Sequence, residues 1–123
     1  MSHEEAKKEF KRRIYKLILD VLKFCGSLPK DIVSRKICEQ LVRSGTSIGA
    51  NYFEAYSASS KKDYANYFHI ALKSSNESIF WISLLRDSDK IGKEGSNKLL
   101  NELQEIAKIF ASSLLTMKGK KNI

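Results

Sequence analysis

The residues that could do chemistry are few and scattered along the chain. His3 lies in a charged N-terminal stretch, and His69 has Asn66 and Lys73 as helix-surface neighbours, with no carboxylate or cysteine at ligand spacing. Both read as ordinary surface residues. Cys25 and Cys38 form neither a CxxC pair nor a metal-type spacing and read as buried free thiols. Glu54 and Glu77 are single carboxylates on separate segments, which does not support the paired ExxH dimetal site of helical bundles. A glycine-rich phosphate loop and HExxH are absent. The expectation is a protein that is not an enzyme, with no catalytic residue, metal or cofactor.

The most unusual polar group is Arg43, Ser47, Asn51 and Glu54, with Ser44 beside it. Spacings of three and four residues align such groups along one side of a helix. Buried by a partner, each would need a hydrogen-bond mate, and Arg43 could supply charge-assisted donors. Exposed, the line is a wet face, and both readings stay open. An enzyme site formed between subunits around Arg43, Asn51 and Glu54 is a weaker third possibility that predicts a deep pocket there.

Helices must position these residues. A chain of 123 residues is one domain, 1–123, with 42% hydrophobic and 29% charged content, too apolar for a disordered chain. A single proline disfavours a turn-rich β architecture. Phe10, Ile14, Leu17, Val21 and Phe24 recur every three or four residues and predict a helix over 4–25, with Lys8, Arg12, Lys16 and Lys23 opposite. Gly26 suits a left-handed helix end and Pro29 a first helical turn, so the second helix is predicted over 30–56. On it, Ile37, Leu41, Ser44, Ile48 and Ala55 form one apolar seam, and Cys38, Val42, Gly45, Gly49, Phe53 and Tyr56 form a second. One seam serves the chain's own core, so the second is expected to meet another subunit, with the glycines allowing close approach.

Ser60 and Asp63 resemble a capping box opening a third helix over 61–87. Its core face is Tyr64, Phe68, Ala71, Ser75, Ile82 and Leu85, while Ile70, Phe80, Trp81 and Leu84 form an apolar group expected at an intermolecular surface. After a loop over 87–95, with Gly92 ending the third helix and Ser96 as N-cap, the fourth is predicted over 96–118 from Leu99, Leu103, Ile106, Phe110, Leu114 and Met117. Four long helices with short connections make an all-α, antiparallel up-down-up-down four-helix bundle.

That topology locates the charge. The net charge is +8, and the bundle end that holds the chain termini and the second connection collects Lys7, Lys8, Lys11, Arg12, Arg13, Lys16, Lys61, Lys62, Lys118, Lys120 and Lys121. These are the candidate nucleic-acid-binding residues. No apolar run approaches the ~20 residues that cross a bilayer, so no membrane partner is expected and the cytoplasm is the default location.

The LP pair at Leu28 and Pro29, QLxRSxxSIxANxxEA over Gln40 to Ala55, and IALKSSNESxxW over Ile70 to Trp81 strongly resemble bacterial four-helix-bundle proteins first noticed as reading frames within intervening sequences of 23S ribosomal RNA genes. The likeness runs from about Phe10 to Leu115. Tyr52 and Phe53 depart from it, standing where smaller aliphatic residues are expected. The resemblance implies an up-down bundle and a homopentameric ring. It is also similar to the accessory protein of diversity-generating retroelements, a basic bundle that works with nucleic acid and a reverse transcriptase. No catalytic residue comes with it.

Two functions follow as expectations. One is a non-enzymatic oligomer that binds ribosomal RNA or other nucleic acid through the basic end, with little sequence preference. The alternative is a structural or adaptor protein that recruits a protein partner, its charge serving solubility alone.

Overall fold

Four helices account for most of the chain: α1 (His3–Gly26), α2 (Ile32–Ala55), α3 (Lys61–Asp87) and α4 (Lys93–Met117). The structure, a computed structural model, describes residues 2–119. α1 packs on α2 and α4, α3 packs on the same two, and the diagonal pairs make no close backbone contact. Short connections over 27–31, 56–60 and 88–92 make sequential neighbours antiparallel. This is the expected up-down-up-down bundle, all-α among the described residues.

The helix ends differ from the sequence reading where a side chain offers a better cap. Gly26 stays inside α1, and the chain leaves the helix at Ser27 in a right-handed conformation, its hydroxyl donating to the Phe24 carbonyl at 2.7 Å. Pro29 does not start α2. Asp31 does, accepting from the Ser34 backbone N–H at 3.0 Å and the Ser34 hydroxyl at 2.9 Å. Such a cap satisfies helix-end donors that a proline cannot reach. Gly92 does not terminate α3; it precedes Lys93 as the N-cap of α4. The terminator is Asp89, at φ 59°, with Lys90 N–H donating to the Leu85 carbonyl at 3.1 Å and Asp89 N–H to Arg86 at 3.2 Å. That pair of bonds is a Schellman closure, with Asp at the left-handed position glycine usually fills. Ser96, expected as a cap, is buried in the first turn of α4 and donates to the Gly92 and Lys93 carbonyls.

The core is aliphatic through the middle and aromatic at one end. Ile14, Leu17, Val21, Leu41, Ile48, Ile82, Leu85, Leu103 and Ile106 are sealed from solvent. Near the chain termini Tyr52 is buried among Phe10, Tyr56, Phe68 and Phe110, with ring centroids 5.3 to 6.2 Å apart. Tyr52 lies four residues after Ile48, on the core seam of α2.

The second seam of α2 needs correction. Gly45 and Gly49 are buried against α1: a Cβ on Gly45 would lie 3.1 Å from Val21 Cγ1, and one on Gly49 would run into Ile18 Cδ1. The close approach is made within the chain. A helix in a four-helix bundle has two neighbours, so two apolar seams are what the bundle itself demands. The core seam faces α3, where small side chains let the helices pack more closely than any other pair.

Candidate nucleic-acid interface

The basic end is built by three segments that cap and turn independently. Ser2 caps α1 by accepting from Glu5 N–H, and Ser60 caps α3 by accepting from Asp63 N–H, both at 3.1 Å. These caps fix the first turns that carry Lys7, Lys8, Lys61 and Lys62. Lys7 and Lys61 line one depression with Tyr56 and Tyr64, and His3, Lys7 and Met117 line a neighbouring one. The start of α1, the α2–α3 connection and the end of α4 therefore meet at one end. Lys118 follows Met117 there, while Lys120 and Lys121 lie outside the described residues.

The candidate cations divide by their partners. Arg13 is committed to the bundle: its Nε and Nη2 reach the Glu102 carboxylate at 3.1 and 2.7 Å, and Glu105 lies 3.7 Å away. The hydrogen bond it donates to Glu102 holds that guanidinium further in its charged form. Arg12 pairs with Glu9 at 2.6 Å and Lys16 with Asp20 at 3.0 Å, both exposed pairs along α1. Lys7, Lys8, Lys11, Lys61, Lys62 and Lys118 make no ion pair among the described residues. Lys7 and Lys11 lie instead over aromatic rings, Lys7 Nζ 5.1 Å from the centre of Tyr56 and Lys11 Nζ 5.3 Å from that of Phe53. Burial pushes the Tyr56 and Tyr64 phenols up to about 12, with hydrogen bonding to Tyr52 adding to the rise at Tyr56 and that to Tyr56 adding to it at Tyr64. They therefore stay neutral beside the lysines. At the opposite end two ion pairs form, Lys90 with Asp31 at 3.4 Å and Arg86 with Asp87 at 2.9 Å, among other charges of both signs.

The sequence model of the 23S rRNA-intervening sequence protein family matches residues 6–112. The chain belongs to that family. Its fold is similar to the crystal structure of a protein of unknown function from the S23 ribosomal protein family of Bacteroides thetaiotaomicron VPI-5482, at 32% identity and a TM-score of 0.78 over 85% of this chain and 97% of that one. Comparison with curated proteins gave no match.

The polar residues of the Gln40–Ala55 and Ile70–Trp81 motifs gather along the α2–α3 seam, away from the basic end. Ser44 and Ser78 hydroxyls lie 2.8 Å apart in the core, Ser74 donates to Ser47 at 2.9 Å, and Ser75 and Ser78 donate to the Ala71 and Ser74 carbonyls. Asn51 donates to the Ser47 carbonyl at 2.9 Å and its hydroxyl at 3.0 Å. Arg43 donates to Gln40 and Glu77, and Glu77 also accepts from Trp81 Nε1 at 2.9 Å. The Trp81 hydrogen bond, with that from Arg43, lowers the Glu77 pKa. The polar line is thus tied up within the chain, except for Glu54, which is exposed. No buried side-chain polar atom among the described residues lacks a partner.

Of the residues expected at a subunit interface, Cys38, Val42 and Trp81 are half-buried against the core, and Gly45 and Gly49 are covered by α1. Phe53, Tyr56, Ile70, Phe80 and Leu84 are exposed. Phe53 and Tyr56 sit beside the lysines of α1, whereas Ile70, Phe80 and Leu84 share one face of α3. Cys25, buried beside Cys38, has its thiol pushed up to about 12 by burial and that neighbour. Among the described residues no group of three or more His, Cys, Asp or Glu could hold a metal, and no helix is long and apolar enough to cross a membrane. Tyr15 and Tyr64 were not read as site residues. Tyr15 follows Lys8, Lys11 and Arg12 at seven, four and three residues, a one-face spacing that could have marked it.

Proposed function

We propose that this is a non-enzymatic protein that binds RNA or other nucleic acid through its basic end, with little sequence preference. The observation that carries the reading is the set of lysines without ion pairs, Lys7, Lys8, Lys11, Lys61, Lys62 and Lys118. Four carboxylates share this end, Glu4, Glu5, Glu9 and Asp63, but the cations outnumber them, which leaves the field net positive. Phosphates are the ligand such a field attracts, and their binding releases counterions. The protein acts in the cytoplasm on this reading, in a single domain.

Assembly as a homo-oligomer, the pentamer included, multiplies that field by repeating the basic end around one rim. The apolar face of α3 with Ile70, Phe80 and Leu84, 44, 55 and 40% exposed, supports this. The same face favours the second reading, in which it receives a different protein and the lysines confer solubility only.

Binding of ribosomal RNA fragments measured from low to physiological salt tests the first reading. Affinity should fall linearly on logarithmic axes, with a slope of about −0.7 per phosphate contacted in single strands. Sedimentation of Phe80→Glu, which is exposed enough to leave the fold intact, tests assembly. The variant should sediment as a monomer with helical content unchanged. A monomeric wild-type protein, with a partner retained at high salt and no nucleic acid bound, would establish the second reading instead.

A further inference from the structure

We infer that the α1–α2 face beside the basic end is a stacking site for unpaired bases, so that the nucleic acid it takes is single-stranded. The inference rests on the nucleic-acid reading above and narrows its substrate. A depression of about 330 Å³ is lined by Lys8, Lys11, Arg12, Tyr15 and Phe53, three cations and two aromatic rings. Lys8, Lys11, Arg12 and Tyr15 recur on one face of α1, and the antiparallel register of α2 brings Phe53 against them. One turn along α2, Tyr56 continues the row beneath Lys7, next to Lys61 and Tyr64. Tyr15 is 59% exposed, Tyr56 47% and Phe53 36%, so the rings alternate with cations along an open track.

The composition of this track selects among acidic partners. Every phosphodiester strand can satisfy the lysines, but only an unpaired strand also offers base faces to the rings. In a duplex those faces are stacked on one another, and Tyr15 and Phe53 gain nothing. An acidic polypeptide would meet the cations and leave the rings in water. The Arg12 guanidinium, paired with Glu9 only at the surface, is free to exchange that carboxylate for a phosphate. The lysines already over Phe53 and Tyr56 would move to the backbone as a base takes their place on the ring.

The test is fluorescence anisotropy at fixed salt with a labelled RNA strand of about 12 nucleotides, a length within the span of single-strand sites, alongside its perfect duplex and polyglutamate as competitor. Tyr15→Leu and Phe53→Leu should each weaken single-strand binding about tenfold, the factor lost with ~1.4 kcal/mol of stacking, and change duplex binding by less than about twofold. Tyr15→Phe and Phe53→Tyr keep a ring and should retain affinity, while Lys8→Ala with Lys11→Ala should weaken both nucleic acids. Tyr15 lies outside the expected subunit seam, so its variant reports on stacking even where Phe53→Leu alters assembly. Leucine variants that bind the single strand as wild type does, lose equally on the duplex, or leave polyglutamate an equal competitor would overturn the stacking site alone. A wild-type protein that binds neither nucleic acid would overturn the nucleic-acid reading with it.

Discussion

Two polar regions of this bundle are treated in opposite ways. Along the α2–α3 seam, Ser44, Ser47, Ser74, Ser75 and Ser78 each find a hydrogen-bond partner inside the chain, and Arg43 is held by Gln40 and Glu77. At the basic end, Lys7, Lys8, Lys11, Lys61 and Lys62 have no carboxylate partner among the described residues. The two hydroxyl pairs that cross the seam, Ser44 with Ser78 and Ser74 with Ser47, favour one helix register, because a slip would break them. An unpaired surface charge contributes little to register and is available to a ligand. The difference teaches that the most recognisable stretch of a sequence can specify packing, and on the proposed reading the interaction chemistry lies in residues that form no motif. The motif segments over Gln40–Ala55 and Ile70–Trp81 lie largely on the seam, within the 6–112 span of the family match.

The sharpest way to break this division is to overfill the seam. Ser78→Leu places a large side chain between the closest helices, removes the Ser44 partner and should cost about 3 kcal/mol, read as a lower urea midpoint. Gly45→Leu drives a side chain into Val21, 3.1 Å from its would-be Cβ, and should cost about 2 kcal/mol. Its effect should appear in unfolding of the single chain, and dissociation of an oligomer with undiminished chain stability would return Gly45 to a subunit interface. At the exposed edge of the same seam, Arg43→Gln should cost less than about 1 kcal/mol, because an ion pair there is screened by water.

The smallest effect concerns the paired end. Ser34 hydrogen bonds, backbone first, with Lys90 adding to them, lower the Asp31 carboxyl from its ordinary 3.8 to about 2. The unfolded chain takes up that proton more readily, so the stabilisation is complete above about 3.8 and disappears as pH falls through about 2. Asp31→Asn should therefore flatten the acid limb of a plot of melting temperature against pH, leaving the neutral range less affected in shape.

Much of the fold was legible because helical periodicity records which side of each helix is covered. The stripes through Ile14, Leu17 and Val21 and through Leu103, Ile106 and Phe110 needed no tertiary knowledge. Periodicity does not say which neighbour does the covering. That is why the Gly45 and Gly49 seam, correctly seen as a close contact, was assigned to a second subunit when α1 fills it. Tyr52 was hidden by the expectation of a small residue, although its place four residues after Ile48 put it in the core. The helix ends were misread where local preference competed with a specific cap: Pro29 gave way to Asp31 and Gly92 to Asp89.

The basic end was legible as charge, since topology alone gathers its lysines. Which of its cations are free was legible only in part: Glu9 and Asp20 lie three and four residues from Arg12 and Lys16, but Glu102 takes Arg13 from another helix, and Tyr56 and Phe53 lie beneath Lys7 and Lys11. That sorting depends on the register of α1 against α2 and α4.

The central claim is that the unpaired lysines, and not the motif, carry the interaction with nucleic acid. Its most direct test is the salt dependence of ribosomal RNA binding by wild-type protein and by a variant carrying Lys7→Ala, Lys8→Ala and Lys61→Ala. The logarithmic slope should become shallower by about 2 to 3, roughly one for each phosphate-contacting lysine removed, with the urea midpoint unchanged. A slope that is the same in both proteins, or a wild-type affinity that does not respond to salt, would contradict it.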